Sequence, residues 1–379
     1  MSDATLPARR PYLDALRGVA VLIMIEAHAI DSWTRVADRR SRAFGEALIL
    51  GGFGAPLFLF LAGAAVAMSA ASKARRTGDS RAAARAVQRR GLQIFLLAFV
   101  FRFQSLVLSQ APVWTMLKVD ILNIMGPAII LAAMVWGAFR TTRARVVAFG
   151  VGTVAIVWVT PLVRGAAGLA VLSDSLEGYL RPVPGLTNFT LFPWVAFVMA
   201  GGAAGVILDA ARTADADRRV NIGFGLAGVL MMLAAYQASF LPALGAPSAF
   251  WTTSASFFFM RLGVMVAAVG LAYLWEQRPT LRLGSGQAAG RRWSPLQVLG
   301  RSSLFIYWIH VELVYGLISL PLHGAFTLRG AWIGVVLFGF LMLAAAAGKD
   351  RAMKWWRGDT VNRYKTRAYF RSPAGSVKP

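Results

Sequence analysis

Residues 13–28 read LDALRGVAVLIMIEAH, an apolar run with an acid and a base at its mouth and a histidine at its far end. With its flanks the run reaches the ~20 residues that a membrane-spanning helix needs. Ionisable groups inside such a helix are costly, so each marks a functional position. Arg17 and His28 are eleven residues apart. At ~100° and ~1.5 Å per residue, that spacing returns them to nearly one face, about 16 Å apart along the axis. Asp14 sits one turn before Arg17 on that face. Asp31, one turn beyond His28, is the same-helix carboxylate placed to orient the imidazole. Glu26 lies about 200° round from His28 and faces elsewhere.

The composition agrees with a membrane reading. The chain has 379 residues, 57% of them hydrophobic and only 15% charged, against about 25% charged in soluble domains. About ten apolar spans of ~20 residues can be marked out. The expected fold is therefore all-α: a polytopic membrane protein of about ten transmembrane helices. Residues 1–348 would form one transmembrane domain and residues 349–379 a basic tail. The chain has no cysteine, which removes disulfides, thiolate nucleophiles and Cys-ligated zinc, and its three histidines make no case for a metal site.

A net charge of +23 raises the question of nucleic acid, but the distribution answers it differently. The N-terminus, the loops near 72–90, 140–145, 209–219 and 276–296, and the tail hold 28 Lys and Arg, whereas the alternate connections hold 8. This asymmetry is the positive-inside pattern, and it puts both termini in the cytoplasm of an inner-membrane protein. The partner of the basic face is membrane lipid, with no nucleic acid.

The spans with chemistry are few. The second, about 49–71, is rich in small residues (51, 52, 54, 55, 62, 63 and 64) that allow close helix contact. Arg102 and Gln104 lie in the outer half of the third, and Asp120 and Asn123 at the outer start of the fourth. Arg261 falls in the eighth, and His310 and Glu312 in the ninth. His28 and His310 have similar depth, about 22 and 20 Å along their spans. An unpaired charge at mid-membrane costs at least ~2.5 kcal/mol on insertion scales. One shared hydrated cavity is therefore expected, with Asp120 and Glu312 neutralising Arg102 and Arg261. The fifth and seventh spans look structural, His323 looks incidental, and the segment 164–187 is expected to hold a short helix around 169–180.

These residues resemble a known group. Arg17, ten residues and then His28 matches the R-x10-H motif of the acyltransferase type 3 family. The stretches 13–18, 54–63 and 303–312 also resemble bacterial relatives of heparan-α-glucosaminide N-acetyltransferase. Both groups belong to the transmembrane acyltransferase superfamily. The resemblance implies a cytoplasmic acyl-CoA donor, with acetyl-CoA as co-substrate, and an extracytoplasmic acceptor, usually a sugar hydroxyl or amine on a glycan. It carries Arg17 over as the CoA-side base and His28 as the catalytic histidine. Loop 34–48 has no histidine where the heparan-type pattern places one, so the chemistry falls on His28.

On that basis His28 is the general base or transient acyl carrier, with Asp31, Asn123 and His310 as further catalytic candidates and Asn123 as a possible oxyanion donor. Asp14, Arg17, Arg89 and Arg90 are candidates for holding the CoA, and Arg102, Gln104, Asp120, Arg261 and Glu312 for the acceptor. A homodimer is compatible with the sequence. The rival reading is a transporter or flippase whose polar cavity binds a small or lipid-linked solute without chemistry.

Overall fold

A computed structural model describes residues 10–108, 110, 112–242, 247–277 and 294–370, with side chains as far as 356. Most of the basic 276–296 loop, Arg9 and the end of the tail lie outside the described residues. The chain is all-α. In order come α1 (Pro11–Trp33), α2 (Arg42–Gly51), α3 (Gly54–Thr77), α4 (Ser80–Leu108), α5 (Ile121–Ala138), α6 (Thr142–Gly165) and α7 (Asp174–Leu180). Then follow α8 (Trp194–Ala210), α9 (Ala214–Ala238), α10 (Phe250–Thr253), α11 (Ala255–Glu276), α12 (Pro295–Arg301), α13 (Ser303–Tyr315) and α14 (Leu328–Phe370).

Among the described residues, seven helical segments are long and apolar enough to cross a membrane, the first of them running through α2 and α3. The protein is thus a polytopic membrane protein. Two shorter apolar helices, α8 and α13, lie beside these. The helix α1 is long enough to span, but it carries Asp14, Arg17, Glu26 and Asp31 along its length.

Small residues set the packing. Gly63 of α3 lies against the backbone of Val198 and Gly202 in α8, while Gly201 and Gly205 of α8 lie against Phe60 and Ala64 in α3. A methyl group at Gly63 or Gly201 would run into a backbone carbonyl. Gly18 of α1 meets Leu296 of α12, and Gly300 of α12 meets Asp14 in the same way. Gly228 of α9 sits against Ala267 and Gly263 of α11. In lipid there is no hydrophobic drive between helices, so this close van der Waals approach is what holds them together.

Several boundaries differ from the sequence expectation. Residues expected as the loop 34–48 contain α2, capped by the Ser41 hydroxyl, which accepts from the Phe44 N–H at 3.2 Å. The basic stretch 72–90 is mostly helix: α3 runs to Thr77, Gly78 turns the chain at φ +70°, and Asp79 accepts from the N–H groups of Arg81 and Ala82 at the start of α4. The ninth span is two helices, α12 and α13, that meet at Ser302. The helix of the tenth span continues past 348 into the basic tail. Nothing after Gly348 breaks it, and α14 continues to Phe370 as one 43-residue helix. The 164–187 segment holds a single 3₁₀ turn (Ala167–Val171) and α7.

Two connections pair by short parallel bridges, Thr34 with Phe326 and Val119 with Thr187. The second joins the start of α5 to the segment before α8: Val119 N–H donates to Leu186 O at 2.8 Å, and Asn188 N–H to Val119 O at 2.9 Å.

Candidate active site

The two histidines meet. His28 near the end of α1 and His310 in α13 have ring centroids 5.2 Å apart. His310 is fully buried. Its Nδ1 lies 2.9 Å from the carbonyl oxygens of both Ile306 and Tyr307, one turn back on its own helix. A carbonyl only accepts, so Nδ1 carries the proton and Nε2 is left as a lone pair. That Nε2 is buried and has no partner among the described residues.

The partner of His28 comes from the end of α13. Tyr315 donates its hydroxyl to Asp31 at 3.0 Å, and its oxygen stands 3.2 Å from His28 Nδ1. Because the tyrosine proton is committed to the carboxylate, the bond from His28 is donated by Nδ1–H, and again Nε2 is the basic nitrogen. The Tyr315 ring also meets the His28 ring edge-on at 5.5 Å. Asp31, Tyr315 and His28 thus form a relay of the kind that fixes an imidazole tautomer and stabilises the imidazolium that forms during proton transfer.

Arg102 of α4 donates to Asp120 at 2.6 Å, the pairing expected of them. The Asp120 carboxylate lies near enough for its charge to act on His28, Tyr307 and Tyr315, so this ion pair borders the histidine centre. Gln104 is half-buried two residues beyond Arg102, and Glu312 follows His310 by two residues on α13.

Two candidates have different surroundings from those expected. Asn123 is built into the start of α5: its Oδ1 accepts from the Asp120 N–H at 3.0 Å and its Nδ2 donates to the Tyr179 hydroxyl at 3.3 Å. This capping box fixes Asp120, and a role as oxyanion donor has no support from these contacts. Arg261 forms no ion pair among the described residues. It donates to the Gly52 carbonyl and lies among the rings of Phe53, Trp194, Phe197 and Phe257, with its guanidinium carbon 5.0–5.9 Å from their centroids. Aromatic faces, not a carboxylate, meet its charge. It lines a separate cavity with Arg164, so the single shared cavity expected of the four charges is not what forms.

At the opposite end of α1, Arg17 lies 3.4 Å from Asp14. Arg89 and Arg90 line a cleft of about 440 Å³ between α3 and α4, with Lys73, Ser69 and Gln93. Arg17 is not part of that lining. Close by in sequence, Arg10 pairs with Asp217 and donates to the carbonyls of Leu208 and Ala211, clamping the start of α1 to α8 and α9. His323 bonds locally, 3.1 Å from the Ser319 hydroxyl and 3.0 Å from the Val314 carbonyl, as expected of an incidental residue.

The sequence alone does not mark Tyr315, Lys73 or the Arg10–Asp217 clamp. Tyr315 is five residues from His310 and off its face, and only the crossing of α1 by α13 brings it to His28. Lys73 was legible as part of a basic stretch, but its facing of Arg89 and Arg90 depends on how α3 packs on α4.

A family model described as heparan-alpha-glucosaminide N-acetyltransferase, catalytic, matches residues 9–240. The chain belongs to this family. It is a membrane acetyltransferase, of the heparan-type group among the two that its residues resemble. No curated protein matches it. The matched residues of the acetyltransferase include Arg17, His28, Asp31, Arg102 and Asp120, and end before Arg261, His310 and Tyr315.

Proposed function

We propose that this acetyltransferase moves an acetyl group from cytoplasmic acetyl-CoA to a hydroxyl or amine of an extracytoplasmic sugar, with His28 as the general base. The observation that carries the reading is the paired histidines. Each has its Nδ1–H tied down, His28 by Tyr315 and His310 by backbone carbonyls, which leaves two basic Nε2 atoms at one place in the membrane half opposite Arg17.

In this reading His28 Nε2 takes the proton of the acceptor O–H or N–H as the oxygen or nitrogen attacks the thioester carbonyl. The C–S bond breaks, the acetyl group stays on the acceptor, and the CoA thiolate takes up the proton from the imidazolium. The Asp31 carboxylate, acting through Tyr315, favours that imidazolium. His310 Nε2 accepts a hydrogen bond from the acceptor and holds it against His28.

Ten spans fit this geometry: the seven apolar segments together with α1, α8 and the α12–α13 pair. The excess of Lys and Arg on alternate connections supports cytoplasmic termini in an inner membrane, which puts Arg17 and the Lys73–Arg89–Arg90 cleft on the donor side. The cleft suits the CoA phosphates, because Lys and Arg side chains supply charge-assisted bonds to phosphate. The ~16 Å between Arg17 and His28 is comparable to the length of a pantetheine arm.

The test is CoA affinity by isothermal titration of the purified protein. Arg89→Gln/Arg90→Gln should weaken acetyl-CoA binding about tenfold or more while His28→Ala leaves it within a few-fold. Unchanged affinity in the arginine variant would remove the cleft from the donor site.

A further inference from the structure

The cavity that contains Arg261 is not explained by the histidine centre. It has a volume of about 220 Å³ and lies among the ends of α6, α8, α10 and α11, at the end of the bundle where α1 carries His28. That is below the ~300–1,000 Å³ typical of sites for drug-sized ligands, and leaves room for a headgroup-sized one. Its lining includes two arginines, Arg164 and Arg261, and no aspartate or glutamate. Neither arginine forms an ion pair among the described residues. Arg164 donates to the Phe192 carbonyl and, at 2.9 Å, to the Thr190 hydroxyl, and Arg261 to the Gly52 carbonyl. Each guanidinium has five N–H donors, so donors remain on both.

The rest of the lining has the same bias. The N-termini of two long helices, α8 at Trp194 and α11 at Ser254–Ala255, border the cavity. The positive end of each helix dipole favours an anion, although the Val195 and Ala196 N–H groups already bond the Leu191 and Pro193 carbonyls and the Phe257 N–H bonds the Ser254 hydroxyl. Thr252 and Ser254 add hydroxyls, and Trp194 and Trp251 add aromatic walls, with Trp251 59% exposed at the edge. Donors reach the cavity from α6, α10 and α11. Such spread suits a tetrahedral oxyanion better than a planar carboxylate, which one bidentate arginine would satisfy.

We propose that this cavity is a phosphate-binding site, held between Arg164 and Arg261, for the phosphate of a phospholipid headgroup or of a sugar phosphate. It is independent of the acetyl-transfer reading. With two arginines and no acid in the lining, the net positive charge of the cavity favours an anionic headgroup such as that of phosphatidylglycerol over a zwitterionic one.

The test uses the full chain in neutral detergent, with Arg89→Gln/Arg90→Gln as background so that the basic cleft does not contribute. Titration with glucose 6-phosphate should give binding at least tenfold tighter than glucose. Arg261→Gln and Arg164→Gln should each weaken it tenfold or more, and Arg261→Lys should stay within threefold. Thr252→Asp, at an exposed edge position, keeps the fold and adds a repelling carboxylate, so it should weaken binding as much. Repeating the titration in nanodiscs separates the sources. Binding blocked by phosphatidylglycerol assigns the site to a lipid headgroup, and binding that persists there assigns it to a sugar phosphate. No binding of glucose 6-phosphate, equal binding of glucose, or unchanged affinity in both Arg261→Gln and Thr252→Asp would overturn the proposal.

Discussion

At the scale of single residues, the site depends on which nitrogen of each imidazole is free. His310 is fixed by its own helix, since its Nδ1 meets the carbonyls of Ile306 and Tyr307. His28 is fixed from another helix, through Tyr315. Tyr315→Phe keeps the ring and removes the relay, so we expect kcat to fall about 10–100-fold, less than the 10²–10⁴-fold that general-base catalysis itself contributes, with the acidic limb of the pH–rate profile moved and KM for acetyl-CoA little changed. Steady-state kinetics across pH checks this, and a loss confined to KM would count against the relay. The same scale shows what could be read beforehand. His28, Asp31, Arg17 and Asp14 share a face of one helix, and a fixed angular step makes that legible. Arg102 and Asp120 were paired correctly because burying either charge alone is costly. For Arg261 the same cost is met without an acid, because aromatic rings and a backbone carbonyl meet a guanidinium as well as a carboxylate does. Sequence carries no sign of which partner is used.

At the scale of helices, glycine decides how closely they approach. A side chain at Gly63 or Gly201 would meet a backbone carbonyl of the opposite helix, which cannot give way. Gly201→Val should cost about 1–3 kcal/mol or more through overpacking, read as a lower thermal midpoint and a loss of folded protein in detergent; a midpoint unchanged from the parent would show that α3 and α8 do not depend on this contact. The start of α14 is tied differently. The backbone N–H of Leu328, and then Arg35, hold the Asp38 carboxyl below the ordinary aspartate range. A carboxylate with a lowered pKa stabilises the fold above its unfolded value, and that contribution is lost as pH falls through the folded value. Hydrogen exchange at residues 327–331 should therefore rise on acidification below the ordinary aspartate value of about 3.9, and Asp38→Asn should show fast exchange already at neutral pH. The helices themselves were legible from apolar length. Their joints were not: the break at Ser302 has no proline at the joint, and the basic run 72–90 reads as loop by charge although Gly78 alone makes the turn.

For the whole molecule, the proposed orientation separates donor and acceptor by the membrane. The chain has no cysteine, so single cysteines introduced at exposed positions report sidedness directly. Arg42→Cys, at the exposed start of α2, should react with an impermeant maleimide from outside intact cells, whereas Arg81→Cys, in the exposed first turn of α4, should react only after lysis. The reverse pattern would invert the donor side. The central claim is that acetyl transfer is centred on His28. The most direct measurement is turnover of radiolabelled acetyl-CoA by the purified protein in nanodiscs, with a panel of sugar acceptors, for the parent chain and His28→Ala. The account predicts labelled acceptor from the parent and at least an ~10²-fold lower rate from the variant, with acetyl-CoA binding retained. Transfer that continues in His28→Ala at the parent rate would contradict it.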